Sequence, residues 1–70
     1  MNWDQIEDNW AYLQGNVRQH WGRLTPDDVS HVAGRRDELA ARLRERYGIA
    51  RGQAERDIDA WTRSLDFRMA

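Results

Sequence analysis

The side chains able to move a proton or hold a metal near neutral pH are few. His20 and His31 are the only histidines, and histidine is the side chain whose ordinary charge change falls in that range. They flank a turn and could approach each other. As a metal pair they would need a third ligand, for which Asp27 or Asp28 stands near in sequence. Surface or boundary histidines are the ordinary outcome, and no metal site is expected. The hydroxyls available as nucleophiles are Thr25, Ser30, Thr62 and Ser64. Thr25 is better explained as a helix cap, and the others have no base beside them. The glycines are scattered singly, so there is no phosphate-cradling loop. A general acid/base pair needs a pocket that raises one carboxyl pKa, and a core of this size is ill suited to enclose one. No catalytic residue or cofactor is assigned, and the chain is expected not to be an enzyme.

The constellation with the clearest binding chemistry is Tyr47-Gly-Ile-Ala-Arg-Gly-Gln-Ala54. It resembles the helix-hairpin-helix DNA-binding motif, whose core reads apolar-Gly-apolar-Gly-three residues-Ala. Gly48, Ile49 and Ala54 match, but Ala50 stands where the second glycine belongs. That glycine normally lets backbone N–H groups at a helix start approach a phosphate. A structural hairpin is therefore favoured over DNA binding. Were nucleic acid bound, Arg46 and Arg51 would be the phosphate partners, with Arg35 and Arg36 extending the basic segment over 35–54. Trp3, Trp10, Trp21 and Trp61 could serve as stacking platforms for single strands. Their spacing places them on apolar helix faces, so core anchors are the favoured reading, with the terminal Trp3 as the exception.

These residues must be positioned by helices. Trp3, Ile6, Trp10, Leu13, Val17 and Trp21 are spaced 3, 4, 3, 4 and 4, one face of a helix over about 4–21. Gly15 lies within it, either admitting a neighbouring helix or as a tolerated weakness. Gly22 suits a left-handed stop. Thr25 then reads as an N-cap with Pro26 at the first helical position and Asp27 and Asp28 in the first turn. Val29, Val32 and Ala33 form a short stripe that Gly34 interrupts, and Leu39, Ala40, Leu43 and Tyr47 resume it. Two helices, about 26–33 and 35–47, are favoured over one kinked helix; continuing the stripe backward would put Arg35 or Arg36 on the buried side. Gly48 ends the second. Ala54, Ile58, Trp61 and Leu65 mark the last helix, to about Ser64. Glu38 with Arg42 and Asp59 with Arg63 are i,i+4 pairs. The tail 66–70 frays or packs Phe67 on the core.

Composition bounds the rest. Seventy residues make one small domain, 1–70. Without cysteine there is no disulfide or thiolate metal site. No apolar run approaches the ~20 residues of a membrane span, and the N-terminus lacks a signal-peptide pattern, so a complete cytoplasmic chain is expected, more readily monomer than oligomer. Eleven arginines face twelve acids, with no lysine, for a net charge of −1. That argues against strong non-specific nucleic-acid binding. The distribution is uneven: residues 1–34 carry two Arg and five acids, and residues 35–53 six Arg and three acids.

The whole chain resembles the CsbD-like family of small bacterial stress-response proteins. The residues that carry the resemblance are Asn9-Trp10, Gly15, Val17, Trp21-Gly22, Leu24-Thr25, Asp27-Asp28, Gly34, Arg36-Asp37, Leu39, Glu45-Arg46-Tyr47-Gly48, Gln53-Ala54-Glu55 and Trp61. Arginine stands where relatives favour lysine, and Trp3 where they are usually polar. The resemblance implies an all-α, compact four-helix domain of two helical hairpins packed roughly orthogonally, similar to a SAM domain. It implies a role in general stress without an assigned catalytic mechanism, so no active-site residue carries over. The expected function is a non-catalytic stress-response protein, protective or interacting with an unknown protein partner. The alternative is weak nucleic-acid binding through the hairpin 35–54.

Overall fold

Helices account for almost every element that the sequence patterning demands, and their boundaries follow the capping residues. A computed structural model describes the backbone of residues 2–69 and the side chains of residues 2–65. It contains α1 (Trp3–Asp8), α2 (Trp10–His20), α3 (Pro26–Val32), α4 (Arg36–Tyr47) and α5 (Arg51–Met69). The protein is all-α, with no strand among the described residues.

The expected four helices are five, because the first is broken at Asn9. Asn2 opens α1 with a capping box, its side chain accepting from the Gln5 N–H while Gln5 accepts from the Asn2 N–H. Asn9 then closes α1: its side-chain Nδ2 donates to the Gln5 carbonyl at 2.8 Å. An asparagine that binds nearby backbone in this way competes with the helix ladder. Asn9 also starts α2, accepting from the N–H groups of Tyr12 and Leu13.

The separation of α3 from α4 agrees with the sequence reading. Thr25 and Asp28 form a second capping box, with Pro26 following the cap. Ala33 (φ 50°) and Gly34 (φ 78°) turn the chain through the left-handed region before α4 starts. Gly34 is obligatory there for a further reason: a Cβ on it would come within 2.5 Å of the Glu7 Cα, so α1 rests directly on this turn. Gly48 (φ 62°) ends α4 as expected.

Two expectations need correction, and one open alternative is decided. Gly22 is not left-handed; α2 ends at His20, and Trp21 follows at φ −120° and ψ 86° with its N–H on the Val17 carbonyl. Of the two readings of Gly15, the tolerated weakness stands, since nothing lies within 4 Å of where its Cβ would be. The last helix does not stop near Ser64 but runs on to Met69. Packing of the Phe67 side chain lies outside the described residues.

The helix pairs in most extensive contact are consecutive: α1 with α2, α2 with α3, α3 with α4 and α4 with α5. The short link 48–50 makes α4 and α5 a hairpin. The core gathers the apolar stripes, including Ile6, Leu13, Val17, Val29, Leu39, Leu43, Ile58 and Leu65. Trp10, Trp21 and Trp61 are buried in it, and Trp3 is half-buried against it, as their spacing predicts. A radius of gyration of 11.1 Å equals the roughly 11 Å expected of a folded domain this long, so the high charge density has not expanded the chain.

Candidate functional site

Asp28 is the one buried charged residue among the described residues, at 3% exposure. It sits in the first turn of α3 because the Thr25 cap places it there: Asp28 N–H donates to Thr25 Oγ1 and Thr25 N–H donates to Asp28 Oδ2, both at 3.1 Å. From α4, the Arg46 guanidinium adds two parallel hydrogen bonds, Nε to Oδ2 at 2.7 Å and Nη2 to Oδ1 at 3.0 Å. Arg42 approaches the same carboxylate at 3.6 Å. Arg42 and Arg46 are one helical turn apart and share a face, whereas Arg44 between them points elsewhere. The Arg46 hydrogen bonds hold the Asp28 carboxyl well below the usual carboxylate range, against the opposing effect of burial and with the help of Thr25. Asp28 raises the guanidinium pKa of Arg46 in return. A carboxylate so deeply ionised and saturated with donors is a structural anion and not a proton shuttle.

Arg36 makes a second cluster. Its Nη2 donates to Glu55 Oε2 at 2.7 Å and to Asp59 Oδ1 at 2.8 Å, joining the first turn of α4 to α5. Its guanidinium also lies 5.7 Å from the Trp3 ring centre, a cation–π distance. Burial disfavours its charge, and the Glu55 and Asp59 hydrogen bonds outweigh that, so its pKa is held above the ordinary value. Arg36 thus lies on the inner side of α4, half-buried against α5. The anticipated i,i+4 pairs are displaced by these tertiary contacts. Asp59 serves Arg36 and not Arg63, while Glu38 faces His31 at 3.4 Å and Arg42 faces Glu45 as well as Asp28.

The four arginines considered for nucleic acid therefore divide. Arg36 and Arg46 are engaged by carboxylates of the protein itself. Arg35 is exposed at the N-cap of α4 and makes no side-chain cap. Arg51 opens α5 with its side chain 77% exposed and only a 3.9 Å approach to Glu55. At the position of the missing motif glycine, the Ala50 carbonyl accepts the Ala54 N–H and starts α5. The hairpin thus forms without that glycine.

The remaining candidates are accounted for locally. His20 lies edge-on to the Trp21 ring at 4.5 Å. No group of three or more His, Asp or Glu side chains suited to a metal occurs among the described residues. Two of the buried indoles have partners: Trp10 Nε1–H donates to the Val29 carbonyl and Trp61 Nε1–H to Asn16 Oδ1, both at 2.8 Å.

Two features lie beyond the sequence reading. The Tyr47 hydroxyl accepts the Arg23 N–H at 3.2 Å, and the Arg23 guanidinium lies 5.5 Å from the Tyr47 ring centre. The loop after α2 is thereby tied to the end of α4. No local signal marks this contact, because the partners are 24 residues apart. The second feature is a cleft between α4 and α5 lined by Asp37, Ala40, Ala41, Arg44, Arg51 and Glu55. The out-of-phase position of Arg44 relative to Arg42 and Arg46 was its only trace in the sequence.

A family model described as CsbD-like matches residues 4–56, which span α1 to α4 and the start of α5 with both ion clusters except Asp59. The chain belongs to the CsbD-like family. Similarity to individual proteins extends further along α5. UPF0337 protein YjbJ of Escherichia coli O6:H1 is 41% identical over 68 residues, covering 97% of this chain and 99% of the relative. UPF0337 protein RPA4217 of Rhodopseudomonas palustris is 46% identical over 65 residues, covering 93% and 98%. YjbJ of Escherichia coli K12 is 38% identical over 68 residues. These relatives are small bacterial proteins of the same length class, and the aligned residues account for nearly all of each of them.

Proposed function

We propose that this chain is a non-catalytic bacterial stress-response protein of the cytoplasm, acting through its surface as a protective or protein-interaction domain. The observation that carries the reading is where its ordered polar chemistry goes. Asp28, Arg46, Arg36 and the indoles of Trp10 and Trp61 are all turned onto partners within the fold. No buried side-chain nitrogen or oxygen among the described residues lacks a hydrogen-bond partner. What faces outward is a dense array of charges of both signs, a surface with few apolar patches. Membership in a family named CsbD-like supports the stress assignment, and no described helix is long and apolar enough to cross a membrane.

The test is suppression of aggregation. A heat-labile enzyme such as citrate synthase is warmed with an equimolar amount of this protein while light scattering is followed. Reduced scattering is expected, relative to an inert protein of similar size and charge. Equal scattering in the two samples would remove the protective role.

A second reading, weak nucleic-acid binding, is favoured by one observation: Arg35 and Arg51 are both exposed. Fluorescence anisotropy of labelled single- and double-stranded DNA at about 50 and 200 mM salt tests it. Arg35→Ala/Arg51→Ala is the informative variant, because substituting Arg46 would also release Asp28. Binding that is steeply salt-dependent and lost in this variant supports the reading, and no binding at the lower salt rejects it.

A further inference from the structure

The cleft between α4 and α5 has a volume of about 170 Å³. Its floor is Ala40 and Ala41, whose methyl groups leave space that longer side chains would fill. Its charges are sorted by end. Asp37 and Arg44 are seven residues apart on α4, roughly 10 Å along the helix axis. Across the short link 48–50, Arg51 in the first turn of α5 lies at the Arg44 end, and Glu55, one turn on, lies towards Asp37. The cleft therefore has a basic pole, Arg44 and Arg51, and an acidic pole, Asp37, while Glu55 is already paired with Arg36.

At Arg44 and Asp37 the poles are not neutralised from within. Among the described residues, neither Asp37 nor Arg44 has an opposite charge within 4 Å, in contrast to Arg36, Arg42 and Arg46. Arg51 comes no closer than 3.9 Å to Glu55, whose other oxygen is held by Arg36 at 2.7 Å. A simple anion entering the cleft would gain the arginines and meet the carboxylates. A simple cation would meet the reverse. A molecule carrying both signs, separated by an apolar spacer over the alanine floor, satisfies both poles. The volume limits it to a few heavy atoms, well below a drug-sized site.

We propose that this cleft binds a small zwitterion of the ω-amino-acid type, its carboxylate on Arg44 and Arg51 and its ammonium on Asp37. The site is independent of the protective role proposed above and could stand if that role fell. Its poles are solvent-facing, so each contact is weak and the affinity expected is millimolar.

The experiment is a titration of the ¹⁵N-labelled full chain followed by amide chemical shifts, with γ-aminobutyrate as the probe. Sodium butyrate and butylammonium chloride, each carrying one of its charges, are added to parallel samples at matched ionic strength. Saturable shifts confined to residues 37–44 and 51–55 are expected with γ-aminobutyrate, and at least about tenfold weaker binding with either single-charge analogue. Arg44→Ala should abolish saturation. Asp37→Asn should erase the preference for γ-aminobutyrate over butyrate. Ala41→Leu, which fills the cleft without changing charge at an exposed position, should also abolish binding while the melting midpoint stays within a few degrees of the parent. Equal responses to butyrate and γ-aminobutyrate, shifts that never saturate, or binding retained in a folded Ala41→Leu chain would each overturn the assignment.

Discussion

Asp28 receives donors from two elements at once, the Thr25 backbone of its own cap and the Arg46 guanidinium of α4. Because Arg46 holds the folded carboxyl below its ordinary range, the unfolded chain takes up that proton first as pH falls. Asp28 therefore contributes stability that is fully present above about pH 4. The contribution is lost as pH drops below that towards the folded value. Urea midpoints measured down the acid limb should fall more steeply for the parent than for Asp28→Asn. At neutral pH the variant should be less stable by about 1–3 kcal/mol, because its amide cannot replace the charge-assisted hydrogen bonds from Arg46. Identical acid limbs would show that Asp28 is not the group concerned. The neighbouring pair Ala33 and Gly34 should respond to substitution in opposite directions. Ala33→Gly relieves a left-handed alanine and should stabilise by about 0.5 kcal/mol, since the strain of roughly 1–2 kcal/mol exceeds the added chain entropy. Gly34→Ala drives a methyl into the Glu7 backbone at a positive φ and should cost about 2–3 kcal/mol. Thermal melts of both variants check the signs. The Thr25-Pro26-Asp27-Asp28 cap was legible from four consecutive residues. The Arg46 partner was not, because it arrives from 18 residues away.

Among the helices, α1 depends most on its neighbours. Six residues cannot hold a helix in isolation, and α1 is fixed by Ile6 in the core, by the Gly34 turn beneath Glu7, and by Trp3 between Trp61 and Arg36. Trp3→Ala should cost about 1–2 kcal/mol, the share of apolar burial and cation–π contact that a half-buried ring supplies. Hydrogen exchange should then quicken in residues 4–8 and leave the centres of α4 and α5 unchanged. Uniform acceleration across all five helices would mean that α1 is no separable unit. The break between α1 and α2 escaped the apolar periodicity for a simple reason. Interrupting a helix by the single residue Asn9 leaves the phase of the stripe almost intact, and Ile6, Trp10 and Leu13 keep their spacing across it. Gly34 was legible because a glycine and two arginines together do break the stripe.

For the whole molecule, the marginal quantity is stability, on the order of 3–10 kcal/mol for seventy residues. Truncating Trp21 or Trp61, 6% and 1% exposed, should cost about 3–5 kcal/mol each and leave much of the chain unfolded. A Trp21→Ala chain with an unchanged melting midpoint would contradict the core assignment. The helical class and the buried face of each helix were written in spacing that any single segment reveals. The ion clusters that join α3 to α4 and α4 to α5, and the polarised cleft, were not, because they depend on which faces meet. The arrangement of the indoles has an optical consequence. Trp3, Trp61 and Trp21 form a chain of rings with centres 6.2 and 5.5 Å apart, inclined by 49° and 56°. Transition dipoles so close and so oblique couple, and the folded protein should show an exciton couplet superposed on the helical circular dichroism. A helix content read from that spectrum without allowance for the couplet would be in error, whereas the couplet itself would report, without any label, when the start of α1 and the end of α2 have closed on α5.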